Sequence, residues 1–596
     1  MCGIAGIITH SFYQDDLEIL LQRMQKALQH RGPDDQGVYI SRTRQAAIAH
    51  TRLSILDLSP AGHQPMSTAD GRYWITFNGE IYNFRELRHT LVAQGEKFHS
   101  QTDTEVILKL YQKFGSTCVN HLRGMFAFAI WDDLEQTCFL ARDPLGIKPL
   151  YYWSAGSTLL FASELKSVLA SGLPTISLSP EGLYGYLVSG SVPEPHTLIQ
   201  RINCLEAGHW LHWQSGHLTH SRYWQINFTP ETISLPEAKE KVRAALIDSI
   251  EHHFVSDVPV GIFLSGGIDS SAVVALARQT QQGELRTYSI AFEEPNWNEG
   301  EIAQKVAHTF ETDHTEYKIT ASLGRELLPQ FLAAIDQPSI DGFNTFCVSQ
   351  IARKDGTKVV LSGLGGDELF GGYKSFQKVP QMVRALSRLQ ALHPISTGVG
   401  MGLEQWGSSR VKRLGDFLQQ IPNSATAYRS FRGIFSHWEA CLVAKRYLPD
   451  RVLPVRARST SFLNLPSLED EVSLLEINCY MRNQLLRDSD VMSMAFGLEL
   501  RVPLVDRVLI EAIAGIPSNI RLAPGKQLLI QAIPELPNWV VNRPKRGFFF
   551  PFEKWMAGEW RDYFPDVDCD KNILLKPWYR RWSLSILQHW WEGISA

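Results

Sequence analysis

The fold of this chain is decided by the stretch Pro259-Val-Gly-Ile-Phe-Leu-Ser-Gly-Gly-Ile-Asp-Ser-Ser-Ala-Val-Val-Ala275. Val260 to Leu264 is a short apolar run of the kind that forms a buried parallel strand. A serine and two glycines follow, and the apolar residues after them predict a helix. Glycines let the backbone approach a ligand closely, while the N–H groups and the dipole of a helix N-terminus attract an anion. The sequence therefore predicts an anion-binding loop between a strand and a helix.

The side chains of this loop indicate which anion it binds. The loop has no lysine and lacks the G-x-x-x-x-G-K-[ST] spacing, so it is not the usual nucleoside-triphosphate loop. Ser265, Ser270 and Ser271 add hydroxyl donors, and Asp269 is suited to orient a phosphate-bound Mg²⁺ ion. The pattern S-G-G-x-D-S resembles the pyrophosphate loop of enzymes that adenylate a substrate with ATP. A plain tight turn between strand and helix is the alternative interpretation.

Length and composition limit the class of protein. A chain of 596 residues is expected to form two or three domains. Its 44% hydrophobic and 20% charged residues are typical of a globular protein, and its net charge of −4 gives no reason to expect nucleic acid or an anionic membrane as partner. The cysteines show neither zinc-ligand spacing nor a disulfide framework, and no apolar run is long enough to span a bilayer. Without a recognisable signal peptide, the expected location is the cytoplasm.

The first residues contain a candidate nucleophile. The chain begins Met1-Cys2-Gly3, and removal of the initiator methionine would leave Cys2 with a free α-amino group. A thiol nucleophile needs a nearby base, and an α-amine with a pKa of about 8 can supply one from the same residue. A cysteine that only packs in an apolar first strand is the alternative.

Four downstream segments carry polar groups suited to such a nucleophile. His30–Asp34 is a predicted turn with a buried arginine, and a strand is expected to end in the cation of Arg52. Asn78-Gly79 is a hairpin signal that could also present an amide and a backbone N–H to a developing oxyanion. Thr102–Glu105 opens a helix, where a carboxylate could hold an ammonium group. Each segment taken alone is equally consistent with a turn, a helix cap or a paired strand-end charge.

Together these segments resemble the class II glutamine amidotransferase domain, whose nucleophile is an N-terminal cysteine. Gly124-Met-Phe-Ala-Phe-Ala-Ile-Trp131 and Arg142-Asp-Pro-Leu-Gly-Ile-Lys-Pro-Leu-Tyr151 are further stretches typical of that domain. The resemblance runs from residue 2 to about residue 210. It implies the layered, antiparallel-sheet fold of N-terminal-nucleophile enzymes, which agrees with the many alternating apolar strands.

The same resemblance implies roles for individual residues. Cys2 attacks the side-chain amide of glutamine and releases ammonia. Arg52 and Asp103 hold the α-carboxylate and the α-amine of glutamine. Asn78 and Gly79 form the oxyanion hole. The residues implied to bind glutamine are Arg52, Asn78, Gly79, Glu80 and Asp103.

The remainder of the chain predicts a second fold. The pattern loosens over residues 211–235, which we interpret as a linker, and residues 237–254 form an amphipathic helix. Residues 286–292 predict a second strand, and Lys358-Val-Val-Leu-Ser-Gly-Leu-Gly-Gly-Asp-Glu-Leu-Phe-Gly-Gly-Tyr373 repeats the plan of a strand followed by a glycine loop. Residues 236–596 are therefore expected to form a doubly wound α/β domain with helical additions, which binds ligands at the carboxyl ends of its strands.

Further candidate residues lie in and beyond the second glycine loop. Ser362 and Gly363 would line a nucleotide pocket, and Asp367 or Glu368 would hold Mg²⁺, unless these carboxylates only cap the next helix. Lys545 lies in a basic turn and could neutralise charge that grows on phosphate or on a tetrahedral intermediate. A solvated surface cluster is the alternative for Lys545.

Four charged residues of the C-terminal region lie in an apolar context. They are too numerous to be free surface charges, so paired structural networks are expected for some of them. These residues are Asp490, Glu499, Arg501 and Asp506.

As a whole, the chain resembles the glutamine-hydrolysing asparagine synthetase family. The family joins its two domains through an internal ammonia tunnel. The resemblance implies an ATP-dependent ligase that uses glutamine, aspartate, ATP and Mg²⁺, in which ammonia attacks an aspartyl-adenylate to give asparagine, AMP and pyrophosphate. It also implies a possible homodimer. The residues implied to bind ATP and pyrophosphate are Leu264, Ser265, Gly266, Gly267, Asp269, Ser270, Ser271, Ile290, Ser362 and Gly363.

The sequence departs from the family where the acceptor is expected to bind. The usual loop Ser-Gly-Glu-Gly-x-Asp-Glu has Leu364 in place of its glutamate, which the family is thought to use in forming or aminating the adenylate. Leucine cannot take a proton or accept a hydrogen bond. Residues 335–345 also differ from the Asp-Glu-Pro pattern usual in the family. Three hypotheses are therefore open: asparagine synthesis, the same amidation on a different carboxylate, or a non-enzymatic regulatory or scaffold protein. The intact loop and the Cys2 segments favour the first two.

Overall fold

The computed structural model describes residues 2–10, 17–294, 297–388, 393–449, 465–544, 550–564 and 570–595. We call residues 2–222 the N-terminal half and residues 235–595 the C-terminal half. The strands of the N-terminal half are β1 (Gly3–Thr9), β2 (Asp35–Ile40), β3 (Ala46–Arg52), β4 (Met66–Ser67), β5 (Tyr73–Ile81), β6 (Gly124–Asp132), β7 (Thr137–Arg142), β8 (Tyr151–Ala155), β9 (Thr158–Ala162), β10 (Ile202–Cys204), β11 (His209–Gln214) and β12 (His217–Arg222).

These strands form two six-stranded sheets, ordered β10-β8-β9-β1-β3-β2 and β12-β11-β7-β6-β5-β4, with antiparallel neighbours. Alternate side chains of a strand point to opposite faces, so each sheet can bury both faces. On β1, Ile4 and Ile8 lie in the apolar layer that joins the sheets, whereas Ala5 and Ile7 lie in a cluster with the first helix. The predicted layered, antiparallel fold is therefore confirmed. The helices of this half are α1 (Leu17–Ala27), α2 (Phe84–Ala93), α3 (Asp103–Phe114), α4 (Leu165–Ala170) and α5 (Pro180–Ser189).

The N-terminal sheets extend beyond the expected domain end. Strand β12 and most of β11 lie inside residues 211–235, where the sequence analysis placed a linker, and β11 pairs with β7. Strand β12 is almost entirely exposed, so its side chains are mostly polar. The alternation of apolar and polar residues that marks a half-buried strand is therefore missing there. The extended connection without regular structure covers only residues 223–234.

The C-terminal half is built on one parallel sheet. Its strands are β13 (Val260–Phe263), β14 (Arg286–Phe292), β15 (Asp313–Ile319), β16 (Val359–Leu361) and β17 (Glu499–Arg501). Their order is β15-β14-β13-β16-β17, which confirms the predicted doubly wound sheet. The order reverses between β13 and β16, and ligands of such sheets bind at the carboxyl ends of the strands beside this reversal. The two predicted glycine loops follow β13 and β16.

Helices surround this sheet and form most of the chain after β16. Helix α6 begins with a capping box at Ser234 and Glu237 and confirms the amphipathic helix expected there. A π-helix, Glu476–Leu486, continues directly into α18. The helices are α6 (Leu235–His253), α7 (Ile268–Thr280), α8 (Gly300–Thr309), α9 (Ala321–Ala334), α10 (Phe343–Lys354), α11 (Gly366–Phe370), α12 (Ser375–Ser387), α13 (His393–Trp406), α14 (Ser409–Leu418), α15 (Ser424–Arg432), α16 (His437–Tyr447), α17 (Leu468–Leu475), α18 (Arg487–Met494), α19 (Arg507–Ala514), α20 (Ser518–Arg521), α21 (Gln527–Ala532), α22 (Asn538–Val541), α23 (Phe552–Ala557) and α24 (Tyr579–Ser595).

The two halves share one apolar core. A single cluster of buried side chains includes Leu187 of α5 and Trp582 and Ile586 of α24, and the Tyr186 hydroxyl donates to the Ser583 carbonyl at 2.7 Å. A contact of this kind fixes how the halves lie against each other. Across the described ranges, none of the helices combines the length and the apolar character that a bilayer-spanning segment needs.

Candidate active site

Cys2 lies immediately before β1, at the centre of the N-terminal half. Its side chain is buried, and its backbone N–H donates to Asn78 Oδ1 at 3.0 Å. Burial raises the pKa of the Cys2 thiol, while a hydrogen bond from the Leu53 N–H and the charge of Arg52 act in the opposite direction. The thiol is therefore protonated at neutral pH, and a base would have to take its proton before it could act as a nucleophile.

Asn78 and Gly79 lie inside strand β5, so the predicted hairpin at this position is wrong. The strand continues because both residues pair in register with Ala127 and Phe126 of β6. Gly79 has φ of +154°, and a Cβ atom there would lie 2.1 Å from the Met125 carbonyl oxygen, so only glycine fits. The Asn-Gly pair serves close strand packing here.

The Asn78 side chain has an unused donor. Its Oδ1 accepts from Cys2, but its buried Nδ2 donates to no group among the residues that the structure describes. A buried donor without a partner costs free energy, so native proteins rarely keep one without a use. An amide donor beside a thiol nucleophile is placed to stabilise an oxyanion.

Arg52, Glu80 and Asp103 provide the charges around Cys2. Arg52 ends β3 as predicted, donates to backbone carbonyls that include Asp57 O at 2.6 Å, and forms no ion pair with a described carboxylate. Asp103 begins α3, also as predicted, and its Oδ2 accepts from Ile81 N–H at 2.9 Å. Burial raises the pKa of Asp103 to about 7, and burial with the charge of Glu499 raises the pKa of Glu80 well above its ordinary value. The site thus offers one cation and two poorly compensated carboxyl groups.

A buried ion network ties Cys2 to the C-terminal half. Arg31 Nε donates to the Cys2 carbonyl at 3.1 Å, and its other nitrogens pair with Glu164 at 2.7 Å and Asp490 at 2.8 Å. Lys148 Nζ lies 3.3 Å from the second oxygen of Asp490. The expectation that Arg31 is buried and Asp490 paired is confirmed. Sequence alone gave no signal that these residues, 459 positions apart, contact each other.

Arg501 makes a second link between the halves. Its Nε donates to Glu499 at 2.6 Å, and its Nη2 lies 3.5 Å from Glu80. Asp506, predicted to belong to a paired network, forms an ion pair with Arg123 at 2.9 Å. These pairs confirm the expected networks and add that their partners include residues of the N-terminal half.

In the C-terminal half, the predicted anion loop has the expected strand and helix on either side. The Ser265 hydroxyl lies 3.1 Å from the Ser270 hydroxyl, and Ser265 N–H donates to the same oxygen at 3.2 Å. Gly266 has φ of +72°, which glycine adopts without strain, and Gly267 precedes α7 as its N-cap. Ser270 thus closes the loop around a free helix N-terminus, which suits a phosphate group.

The second glycine loop packs directly on the first. A Cβ atom on Gly363 would lie 2.6 Å from the Ser270 nitrogen, and one on Gly366 would lie 2.2 Å from Asp269 Oδ1. Because only glycine permits this approach, the two loops form one cradle at the reversal point of the sheet. Ser362 N–H is bonded to the Arg501 carbonyl at 2.9 Å.

Two carboxylates and a lysine meet between these loops. Lys526 Nζ pairs with Asp269 and with Asp367. Burial acts to lower the pKa of Lys526, but the charges of Asp269 and Asp367 outweigh it, so the pKa is raised. Sequence reasoning missed Lys526, although Gly525-Lys526 ahead of α21 is a possible signal. It proposed Lys545 instead, which lies outside the described residues. Lys526 therefore occupies the position expected of a cation that faces phosphate groups.

The same carboxylates fit a magnesium site. Mg²⁺ is commonly held by one or two carboxylates together with substrate phosphates, and Asp269 and Asp367 provide such a pair. No group of three or more histidine, cysteine, aspartate or glutamate side chains suited to a metal occurs among the described residues. Glu368 is buried, receives a hydrogen bond from Tyr373 at 2.8 Å, and has its pKa raised to about 7 by burial and by Asp367. Asp367 is therefore the better of the two predicted ligands.

The other predicted residues of the C-terminal half differ in their burial and in their hydrogen bonds. Leu264 N–H bonds the Tyr288 carbonyl at 2.8 Å, and Ile290 is a buried residue of the adjacent strand β14. Ser271 is fully buried in α7, and its hydroxyl has no partner among the described residues. Leu364 is half-buried and packs on the main apolar core, while its N–H donates to Ser362 Oγ at 3.3 Å.

Comparison with known proteins now identifies the family. Residues 1–224 match the sequence profile of the glutamine amidotransferase domain, and residues 241–586 match that of asparagine synthase. The chain is 34% identical to "Asparagine synthetase [glutamine-hydrolyzing] 1" of Bacillus subtilis over 95% of this chain and 90% of that protein. 

The chain belongs to the glutamine-hydrolysing asparagine synthetase family.

Two other relatives are similar to the chain over most of its length. "Asparagine synthetase [glutamine-hydrolyzing] 3" of Bacillus subtilis is 31% identical over 92% of this chain and 87% of its own length. "Amidase chry2" of Gibberella zeae is 27% identical over 96% of this chain and 92% of its own length. Membership makes the protein an ATP-dependent amide-forming ligase with a glutamine amidotransferase domain.

Proposed function

We propose that this protein synthesises asparagine from aspartate, ATP and glutamine. The observation that supports the proposal is the presence, in one chain, of two sets of groups. Asn78 Nδ2 is an unused donor beside Cys2, and Lys526 joins Asp269 and Asp367 between two glycine loops. One set suits hydrolysis of an amide, and the other suits transfer of a nucleotide to a carboxylate.

In the first half-reaction, which follows removal of Met1, the free α-amine of Cys2 takes the thiol proton and Sγ attacks the amide carbon of glutamine. Asn78 Nδ2 and the Gly79 N–H donate to the oxyanion that forms on the former carbonyl oxygen. The α-ammonium group of Cys2 then returns its proton to the departing nitrogen, the C–N bond breaks and ammonia leaves. Water hydrolyses the thioester to glutamate and the free thiol. Arg52 binds the α-carboxylate of glutamine, and Asp103 with Glu80 binds its α-ammonium group.

In the second half-reaction, a carboxylate oxygen of aspartate attacks the α-phosphorus of ATP and pyrophosphate leaves. Lys526 neutralises charge that grows on the phosphates, and the loop N–H groups and the Ser265 and Ser270 hydroxyls bind pyrophosphate. Asp269 and Asp367 would hold Mg²⁺, which supplies further charge neutralisation when bound. Ammonia from the first site then attacks the acyl carbon, and AMP leaves.

Division of the chain follows this scheme. We assign glutamine hydrolysis to the N-terminal half and synthesis to the C-terminal half, and we place their boundary in residues 223–234 rather than 211–235. Assembly as a homodimer is an expectation from the resemblance, and sedimentation of the purified protein would test it.

The leucine at position 364 favours a second candidate function, which is the same amidation on a carboxylate other than aspartate. Leu364 packs on the apolar core and offers no acceptor to the substrate. The residue expected to contact the acceptor carboxylate therefore differs from the family pattern, while the two glycine loops proposed to bind the nucleotide are present.

The test is product analysis with ATP, Mg²⁺, amide-labelled glutamine and aspartate. We expect labelled asparagine and AMP in equal amounts. Cys2→Ala should lose synthesis from glutamine and keep synthesis from ammonium chloride. Release of glutamate without AMP would reject aspartate as acceptor and support the second candidate. Failure to form AMP with any carboxylate would reject ligase activity altogether.

A further inference from the structure

Arg501 contacts both candidate sites. It is the last residue of β17, and its backbone carbonyl accepts a hydrogen bond from Ser362 at 2.9 Å. Ser362 begins the glycine loop that follows β16. The side chain of Arg501 extends to the other half of the protein, where Nη2 lies 3.5 Å from Glu80 Oε2. One residue therefore joins a loop of the synthetase site to the strand that carries Asn78 and Gly79.

The remaining donors of Arg501 are fixed. Nε donates to Glu499 at 2.6 Å, and Nη1 donates to the carbonyls of His253 and Val255 at 2.7 Å each. The side chain is fully buried, and its Nη2 donates to no group in the part of the chain that the structure describes. The guanidinium is thus held rigidly with one free donor edge toward Glu80. A guanidinium held by three hydrogen bonds is rigid enough to position the Glu80 carboxylate that lies beside its fourth donor.

The Arg501 guanidinium favours the charged form of Glu80 and so acts to lower its pKa. Burial and the charge of Glu499 raise the pKa of Glu80, and Arg501 acts in the opposite direction. Loss of the guanidinium would raise the pKa of Glu80 further, and its carboxyl group would take up a proton at a higher pH. The ionisable groups that face Glu80 are Glu499 and Arg501 on β17, Asp103 at the start of α3, Cys2 before β1 and Tyr82 after β5.

We propose that Arg501, contributed by the C-terminal half, is a positioning residue of the glutaminase site. It holds Glu80, and with it the β5 segment of Asn78 and Gly79, where glutamine hydrolysis needs them. The Arg501 carbonyl also accepts a hydrogen bond from Ser362. A movement of the glycine loop of Ser362 on ATP binding would therefore move Arg501, and with it the Glu80 carboxylate. The inference rests on the proposed function, since it assigns Arg501 to the hydrolysis of glutamine.

The experiment compares three variants of the full chain with the unchanged protein. Arg501→Met removes the charge, and Arg501→Lys keeps it without the planar fork. Arg580→Met is the matched control, because Arg580 is equally buried and pairs with Glu439 at 2.6 Å. Its polar and ring partners among the described residues, Glu439, the Leu574 carbonyl and Phe435, lie in the C-terminal half. Glutamate release from glutamine is measured against pH, and each rate is divided by the folded fraction from circular dichroism.

We expect Arg501→Met to lower kcat/KM for glutamine about tenfold or more and to move the acid limb of its pH profile up by about one pH unit. Arg501→Lys should restore the position of the acid limb. Arg580→Met should keep the unchanged profile per folded molecule. ATP with Mg²⁺ should change the KM for glutamine about threefold in the unchanged protein and not in Arg501→Met.

The outcomes separate the inference from the proposed function. If the unchanged protein releases no glutamate, the proposed function fails and the inference falls with it. If that protein is active but Arg501→Met behaves like Arg580→Met, with an unmoved pH profile, the positioning role is overturned alone. An unchanged protein whose KM ignores ATP would overturn the link through Ser362.

Discussion

Replacement of Asn78 by alanine should strongly reduce glutamine hydrolysis while it changes the stability of the fold only slightly. Removal of one oxyanion-hole donor commonly costs about 2.7–4 kcal/mol in the transition state, which is about 10²–10³-fold in kcat. For stability, the buried Cys2 N–H loses its acceptor, which costs about 1–3 kcal/mol, and removal of the unsatisfied Nδ2 returns about 1–3 kcal/mol. The two effects nearly cancel, so the free energy of unfolding should change by less than about 2 kcal/mol.

The assay for this prediction pairs glutamate release with urea unfolding. Asn78→Asp is the sharper variant, because it keeps the acceptor for Cys2 but replaces the donor by an oxygen. Asn83→Ala is the control. The Asn83 side chain donates to the His121 carbonyl and accepts from the Arg123 N–H at 3.0 Å each, so this variant should lower the stability of the fold but leave glutamine hydrolysis per folded molecule unchanged. A loss of hydrolysis below about fivefold in Asn78→Asp would refute the oxyanion role.

Three further predictions concern the other charged groups. Lys526→Met should abolish AMP formation while glutamine hydrolysis continues, which nucleotide analysis and glutamate assays will check on the same sample. Asp490→Asn leaves Lys148 buried without its carboxylate and should destabilise the protein by about 3–5 kcal/mol in urea unfolding. Because the pKa of Asp103 is raised to about 7, its ionised fraction falls about tenfold from about pH 8 to about pH 6. The Kd for glutamine, measured on a Cys2→Ala protein, should rise about tenfold over that interval, and Asp103→Asn should remove the dependence.

The parts of the fold that sequence predicted are those set by local chemistry. An apolar run before a glycine loop identified β13, and residues 286–292 were predicted as a strand and form β14. Both are buried parallel strands, whose apolar runs are clear without knowledge of their neighbours. Strand β12 was missed because its side chains are exposed and polar, so it holds its place through pairing with β11 rather than by burial.

The parts of the site that sequence missed depend on contacts between distant residues. The hairpin predicted at Asn78-Gly79 is wrong because pairing with β6 keeps the strand extended, and no local pattern reveals that partner. Lys526 was missed for a similar reason. Its importance follows from Asp269 and Asp367, which lie far away in the chain and meet only in the folded cradle. The role proposed for Lys545 stays a prediction outside the described residues.

The substitution at position 364 changes less of the chemistry than the family pattern suggests. The cradle is built from backbone contacts of Gly363 and Gly366 with the first loop, and none of them uses the side chain of Leu364. Ammonia is already a nucleophile when it arrives unprotonated, so attack on an acyl-adenylate needs no carboxylate to activate it, and the proton can leave in a later step. What an apolar residue does remove is a hydrogen-bond acceptor beside the substrate. The difference therefore bears on which carboxylate is recognised, and it leaves adenylation and amide formation chemically possible.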